Sequence, residues 1–190
     1  MSNFDSIHEV VKSQTANARA TYLDLVKFSS ERAYDNLPSK IAESKSKISS
    51  LNNKIRSCCK EKRDSMGRLS FADLDVYIAQ TNPMRKEIEK LERYIKQSEK
   101  SISMGREIFV ETSVEKAEMM FDSKVFAMAD KLNRKGFTSE CKFSSLSSDP
   151  KLFDVVITDG EKKVHARSVL AAESSECMVA HFRFIITNAK

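Results

Sequence analysis

The chain predicts an α+β fold: long N-terminal helices with an antiparallel coiled-coil hairpin, then a helix packed on a four-stranded antiparallel β-meander. Three observations carry that expectation. Apolar residues recur at three-four spacing from about residue 5 to 132, the period of one helix face. Two segments within that stretch narrow to a heptad stripe on a polar rod, the mark of a coiled-coil seam. From Phe137 onward the period becomes two, as in half-buried strands.

The bulk numbers agree with a folded, helix-rich chain. Its 190 residues suffice for one large domain or two small ones. The composition is 41% hydrophobic and 31% charged, with 4 Gly and 3 Pro, unlike a disordered tail. A net charge of +5 favours an anionic partner, but mildly, because 27 carboxylates are mixed among 32 basic residues. The N-terminus lacks the basic and apolar regions of a signal peptide. No apolar run approaches the ~18 residues that span a bilayer. The expectation is a cytoplasmic protein away from membranes.

The four Cys are an adjacent pair, Cys58-Cys59, and two singles, Cys141 and Cys177. Neighbouring Cys rarely bridge each other and no CxxC spacing occurs, so neither a disulfide framework nor a zinc finger is expected. No metal and no cofactor are predicted.

Residues 5–36 read as one amphipathic helix with Ile7, Val11, Ala18, Tyr22, Leu25 and Phe28 on its stripe. Leu37-Pro38 ends it, since a residue before proline avoids the α region, and Pro38 suits the first turn of the next helix. That second helix, to about Arg63, sets Ile41, Ile48 and Ile55 in one row and Ser44, Leu51 and Cys58 in the other. A break at Ser65-Met66-Gly67 precedes a short helix from Phe71 to Ala79 capped by Ser70. Thr81-Asn82-Pro83 then restarts a long helix carrying Met84, Ile88, Leu91, Ile95, Ile102 and Phe109. The two heptad segments fold back as an antiparallel hairpin, against which the first helix can lie as a third rod. Thr112 and Glu115 have capping-box spacing, so a new helix is expected there, with Val114, Ala117, Phe121, Val125, Met128 and Leu132 inward. This places a division near residue 112: a helical region 1–112 and an α+β domain 113–190. Met119, Met120 and Met128 read as core, and His8 as surface.

Gly136 closes the last helix. Four strands follow, over Thr138–Leu146, Leu152–Thr158, Lys162–Ala171 and Cys177–Thr187, with turns at Ser147-Ser148-Asp149-Pro150 and Asp159-Gly160. The last two strands carry one pattern twice, Val164-His165-Ala166-Arg167 and Ala180-His181-Phe182-Arg183. An odd loop of three or five residues at 172–176 puts both His/Arg pairs on one face, with Phe182, Phe184 and Ile186 on the other. The Asp159-Gly160 turn sets Asp154 opposite His165. The expected constellation is therefore Asp154, His165, Arg167, His181 and Arg183.

Arg forks and imidazoles suit phosphate oxygens, so that face predicts binding of nucleic acid or a nucleoprotein complex, with Phe137 and Phe143 as candidate stacking groups. The same residues could make a small metal-independent ribonuclease, with His165 and His181 as base and acid and the arginines stabilising charge. The plainer reading is a solvated sheet face with Asp154 as a cross-strand partner. A metal site at Cys177 and His181 is disfavoured, because four residues along a strand span about 13 Å. At the hairpin tip, Arg68, Leu69, Phe71 and Asp73 are candidate protein contacts, and the rods could also drive self-association. The resulting expectation is a non-enzymatic binding protein. A regulator or inhibitor from a phage or other mobile element would suit this size and layout.

Overall fold

The computed structural model describes residues 3–61, 70–148, 153–172 and 180–189. The expected break at Ser65-Met66-Gly67, the tip residues Arg68 and Leu69, Asp149-Pro150, most of the 172–176 loop and Cys177 lie outside the described residues. Five helices come first: α1 (Asn3–Gln14), α2 (Ala16–Asp35), α3 (Leu37–Glu61), α4 (Phe71–Met104) and α5 (Arg106–Arg134). Four strands follow: β1 (Lys142–Ser145), β2 (Asp154–Asp159), β3 (Lys162–Ala172) and β4 (Ala180–Asn188). The α+β class and the antiparallel meander, ordered β1-β2-β3-β4, are as the periodicities predict.

The helix boundaries differ from expectation in three places. The first helix is divided at Thr15, a buried residue whose hydroxyl donates to the Val11 carbonyl at 2.8 Å. The predicted short helix and restart at Pro83 are one continuous α4. Pro83 removes an N–H from the ladder. The helix nevertheless persists because a single seam runs through it, formed by Tyr77, Thr81, Met84, Ile88, Leu91, Ile95, Ser98 and Ile102 at alternating four-three spacing. Thr81 and Ser98, polar by sequence, are buried in that seam at 1% and 4% exposure. Lastly, the break falls at Gly105 rather than at 111–113. Thr112 and Glu115 both lie within α5, so their spacing marks no helix start.

The chain divides into two compact units, residues 33–106 and residues 1–32 with 107–190. The boundary expected at 112 therefore falls inside α5. The first unit is the α3/α4 hairpin. Its antiparallel sense shows in the ion pairs Lys45–Glu99 and Lys47–Glu87, where rising numbers on α3 meet falling numbers on α4. At its base the Tyr34 hydroxyl donates to the Ile102 carbonyl at 3.1 Å, and Arg106 bonds both oxygens of Asp35.

In the other unit α1 and α2 pack with α5 and the sheet. Ile7, Val11, Ala18 and Tyr22 join Ala117, Phe121, Val125, Met128 and Leu132 of α5 in one cluster with Val155, Ile157, Val164, Ala166 and Ile186. The Phe121 ring lies 6.0 Å from that of Tyr22 and 5.8 Å from that of Phe184, so α5 is packed on two sides. A helix thus covers one sheet face, as expected. Gly136 (φ 76) ends α5: its N–H reaches the Asn133 carbonyl, and that of Phe137 the Leu132 carbonyl. This is a Schellman cap, sealed by the buried Leu132 and Phe137 side chains. The methionines are not one cluster, since Met128 is core while Met119 and Met120 are exposed.

The β2–β3 turn is Gly160-Glu161, between paired Asp159 and Lys162, not Asp159-Gly160. Gly160 at φ 60 takes the left-handed turn position. Asp159 stays in its strand, where its carboxylate accepts the Thr138 N–H. Each β2 residue consequently meets a β3 partner two positions beyond the expected one. Val155 lies opposite Ala166, and Asp154 opposite Arg167. Because the shift is even, no residue changes face.

Candidate functional site

The site is the sheet face that points away from the core cluster. Alternation assigns it Asp154, Val156 and Thr158 from β2, and Lys163, His165, Arg167 and Val169 from β3. Pairing of β4 with β3 adds Arg183, Ile185 and Thr187, and β1 adds Lys142 and Ser144. The opposite positions, Val155, Ile157, Val164, Ala166 and Ile186, are buried. Ala172 pairs with Ala180 across residues 173–179, an odd number, so the two His/Arg pairs share a face despite a longer loop than expected.

Sharing a face is not the same as meeting. Asp154 lies directly across from Arg167, and its Oδ1 accepts a hydrogen bond from His165 Nε2 diagonally. The His165 and Asp154 side chains are thus bonded, with Arg167 beside them by register. Arg167 faces Ile185 while Arg183 faces Val169, so the two arginines are diagonal neighbours with backbones about 7–8 Å apart. His181 pairs with Ala171, whereas His165 pairs with Thr187. Six strand residues separate those positions, roughly 20 Å. The His181 side chain lies outside the described residues. Its backbone position alone separates it from His165 by too much for two imidazoles to serve one phosphate.

Arg167, Arg183, Lys142 and Lys163 are exposed, and among the described residues none of the four side chains makes an ion pair or hydrogen bond. Asp154 is the only acid that the described strands place on this face, and His165 already engages it. Val156, Val169 and Ile185 form a half-buried aliphatic floor between the charges. Phe137 and Phe143, considered for stacking, turn toward the core, Phe137 with only 1% exposure. Lys142 escaped the sequence reading because its face depends on the β1–β2 register, which crosses a turn whose ends pattern alone did not locate.

Comparison with known proteins gives no match. No family model, curated protein or solved structure is significantly similar to this chain.

The other candidates separate from the sheet. Of the tip residues, Asp73 is occupied in capping α4, with its N–H donating to Ser70 Oγ at 3.1 Å and its carboxylate accepting from that hydroxyl. Phe71 begins α4, and its side chain is outside the described residues. Further along, Leu74, Val76 and Ile78 are exposed aliphatics. An open groove of about 690 Å³ runs beside the hairpin, lined by Ser46, Ser50, Asn53, Ser57, Cys58 and Met84 among others. It holds no acid–base pair. Cys58 and Cys59 are both half-buried. His8 is not a bare surface residue; its ring lies 5.8 Å from that of Phe126 and 6.4 Å from that of Phe4. Among the described residues no three His, Cys, Asp or Glu side chains are grouped as a metal site, and no helix is long and apolar enough to cross a membrane.

Proposed function

We propose that this is a non-enzymatic binding protein whose uncovered sheet face takes a nucleic-acid backbone. The observation that carries the reading is the pair Arg167 and Arg183: diagonal neighbours on a rigid sheet, exposed, and without protein partners among the described residues. Two free guanidinium forks at that spacing can grip successive phosphate oxygens, with Lys142 and Lys163 extending the cationic path across β1 and β3. The aliphatic floor lets sugars and bases lie close without burying charge. The ribonuclease alternative loses its acid–base pair to the His165–His181 separation, which favours binding over cleavage. Exposed Leu74, Val76 and Ile78 support a second role for the hairpin unit in protein contacts.

The test is fluorescence anisotropy with labelled single-stranded oligonucleotides across a salt series, in EDTA, with strand integrity checked on gels. Arg167→Ala/Arg183→Ala should weaken binding about tenfold or more. It should also lower the log–log salt slope by about 1.4, since each lost phosphate contact removes about 0.7 on a single strand. Wild-type protein that binds no strand, or a double variant with an unchanged slope, would overturn the proposal. Strand cleavage in EDTA would move the protein to the nuclease class.

A further inference from the structure

His165 is a hydrogen-bond acceptor set in a field of donors. Its Nε2 is bonded to Asp154 Oδ1, and a carboxylate only accepts, so the proton of that bond sits on Nε2. In the neutral ring this leaves Nδ1 as the acceptor. Among the described residues Asp154 is the only partner of the ring. No buried side-chain nitrogen or oxygen there lacks a partner, so Nδ1 reaches solvent. The side chain is 22% exposed, held rather than swinging free. Arg167 is two residues along the same strand face, about 6.6 Å away by strand rise. Lys163 is two residues the other way, and Thr187 is the cross-strand neighbour.

A nucleic-acid strand offers acceptors at every phosphate, and the Arg and Lys donors answer those. An exposed ring acceptor beside them needs a donor placed within one nucleotide of a phosphate. On the sugar of RNA that donor is the 2′-hydroxyl, and DNA has none. Resting on the nucleic-acid reading above, we infer that the Asp154–His165 pair makes this face select RNA over DNA, with His165 Nδ1 accepting from a ribose 2′-hydroxyl. Asp154 acts as a positioning residue: it fixes the ring and its tautomer without touching the strand. Its charge opposite Arg167 also limits how tightly any polyanion is held, so that the 2′-hydroxyl contact is not swamped by phosphate attraction.

The experiment compares three strands of one sequence, RNA, DNA and 2′-fluoro RNA, on the full chain by anisotropy in one mildly alkaline buffer. The 2′-fluoro strand keeps an RNA-like sugar but has lost the donor. RNA should bind about threefold to tenfold tighter than DNA, the range of one net hydrogen bond, and the 2′-fluoro strand should behave as DNA. In His165→Ala the RNA-to-DNA ratio should fall to about one, and Asp154→Ala, which releases the ring, should reduce it. Equal binding of RNA and DNA by wild type overturns the selectivity while leaving the nucleic-acid reading intact. A preference that survives in the 2′-fluoro strand or in His165→Ala overturns it too, since shape or another group would then be responsible. Binding of none of the three strands overturns both readings.

Discussion

Cys141 is 7% exposed, and burial first, then the charge of Asp159, raises its pKa above that of an ordinary thiol. The folded thiol therefore stays protonated where the unfolded one ionises. Because the unfolded chain then binds fewer protons, this residue's contribution to stability falls as pH rises through the ordinary thiol range near ~8.5. Mass-spectrometric mapping after iodoacetamide should show Cys141 alkylated more slowly than half-buried Cys58 and Cys59. Equal rates would show that the strand region opens freely. Residue-scale features of this kind were partly legible. The outward placement of His165, Arg167 and Asp154 follows from alternation alone. The cross-strand pairing of Asp154 with Arg167 did not, because it arises only once Gly160-Glu161, and not Asp159-Gly160, makes the turn.

Elements show where local pattern gives way to packing. Pro83 reads as a helix boundary, yet α4 runs through it because the seam on either side is shared with α3. The buried serines and Thr81 keep that seam in register while disguising it as polar surface in the sequence. Beside it, the hydrogen bond from Lys47 lowers the pKa of Glu87. What this exposed pair contributes is present above the ordinary carboxylate range and lost as pH falls, and it is small. At the other end of the chain β4 is an edge strand. The Ala189 N–H bonds Lys163, so even-numbered β4 residues turn their main chain to the free edge. There Lys131 of α5 donates to the Ile186 carbonyl at 3.1 Å and Lys135 to Asn188 Oδ1 at 2.9 Å. Lysines at an edge oppose strand addition by a second chain. Lys131→Ala/Lys135→Ala should raise concentration-dependent self-association above wild type in sedimentation velocity. An unchanged distribution would mean that the edge is protected in some other way.

Across the whole molecule, the two units differ in how they bury apolar surface. The unit containing the sheet has α5 packed between aromatic and aliphatic partners on two sides, with Phe121, Phe137, Ile157 and Leu132 at or below 1% exposure. The hairpin buries one seam, in which Leu37, Ile41 and Leu51 are the buried apolar residues of α3. Opening free energy follows buried contact density. Hydrogen exchange should accordingly be slowest in α5, β2 and β3 and faster along α3 and α4. Uniform protection would mean that the units open together. Should the hairpin instead mediate assembly, its exchange would slow with rising protein concentration while that of the sheet would not.

Sequence by itself determined the class of every element and the faces of the described residues of β2, β3 and β4, because periods of 3.6 and two are properties of the local backbone. It also placed the Gly136 helix end, where backbone geometry demands that residue. Tertiary structure decided the neighbours. Contact with the core joined α1 and α2 to α5 and the sheet, and the Thr138–Asp159 hydrogen bond kept Asp159 in its strand and moved the turn. That one displacement set Asp154 against Arg167, while the β3–β4 register set His181 far from His165. Alternation constrains only whether a register is odd or even. Which odd or even register forms depends on contacts distant in the chain, and on this face that choice turns two similar motifs into one site.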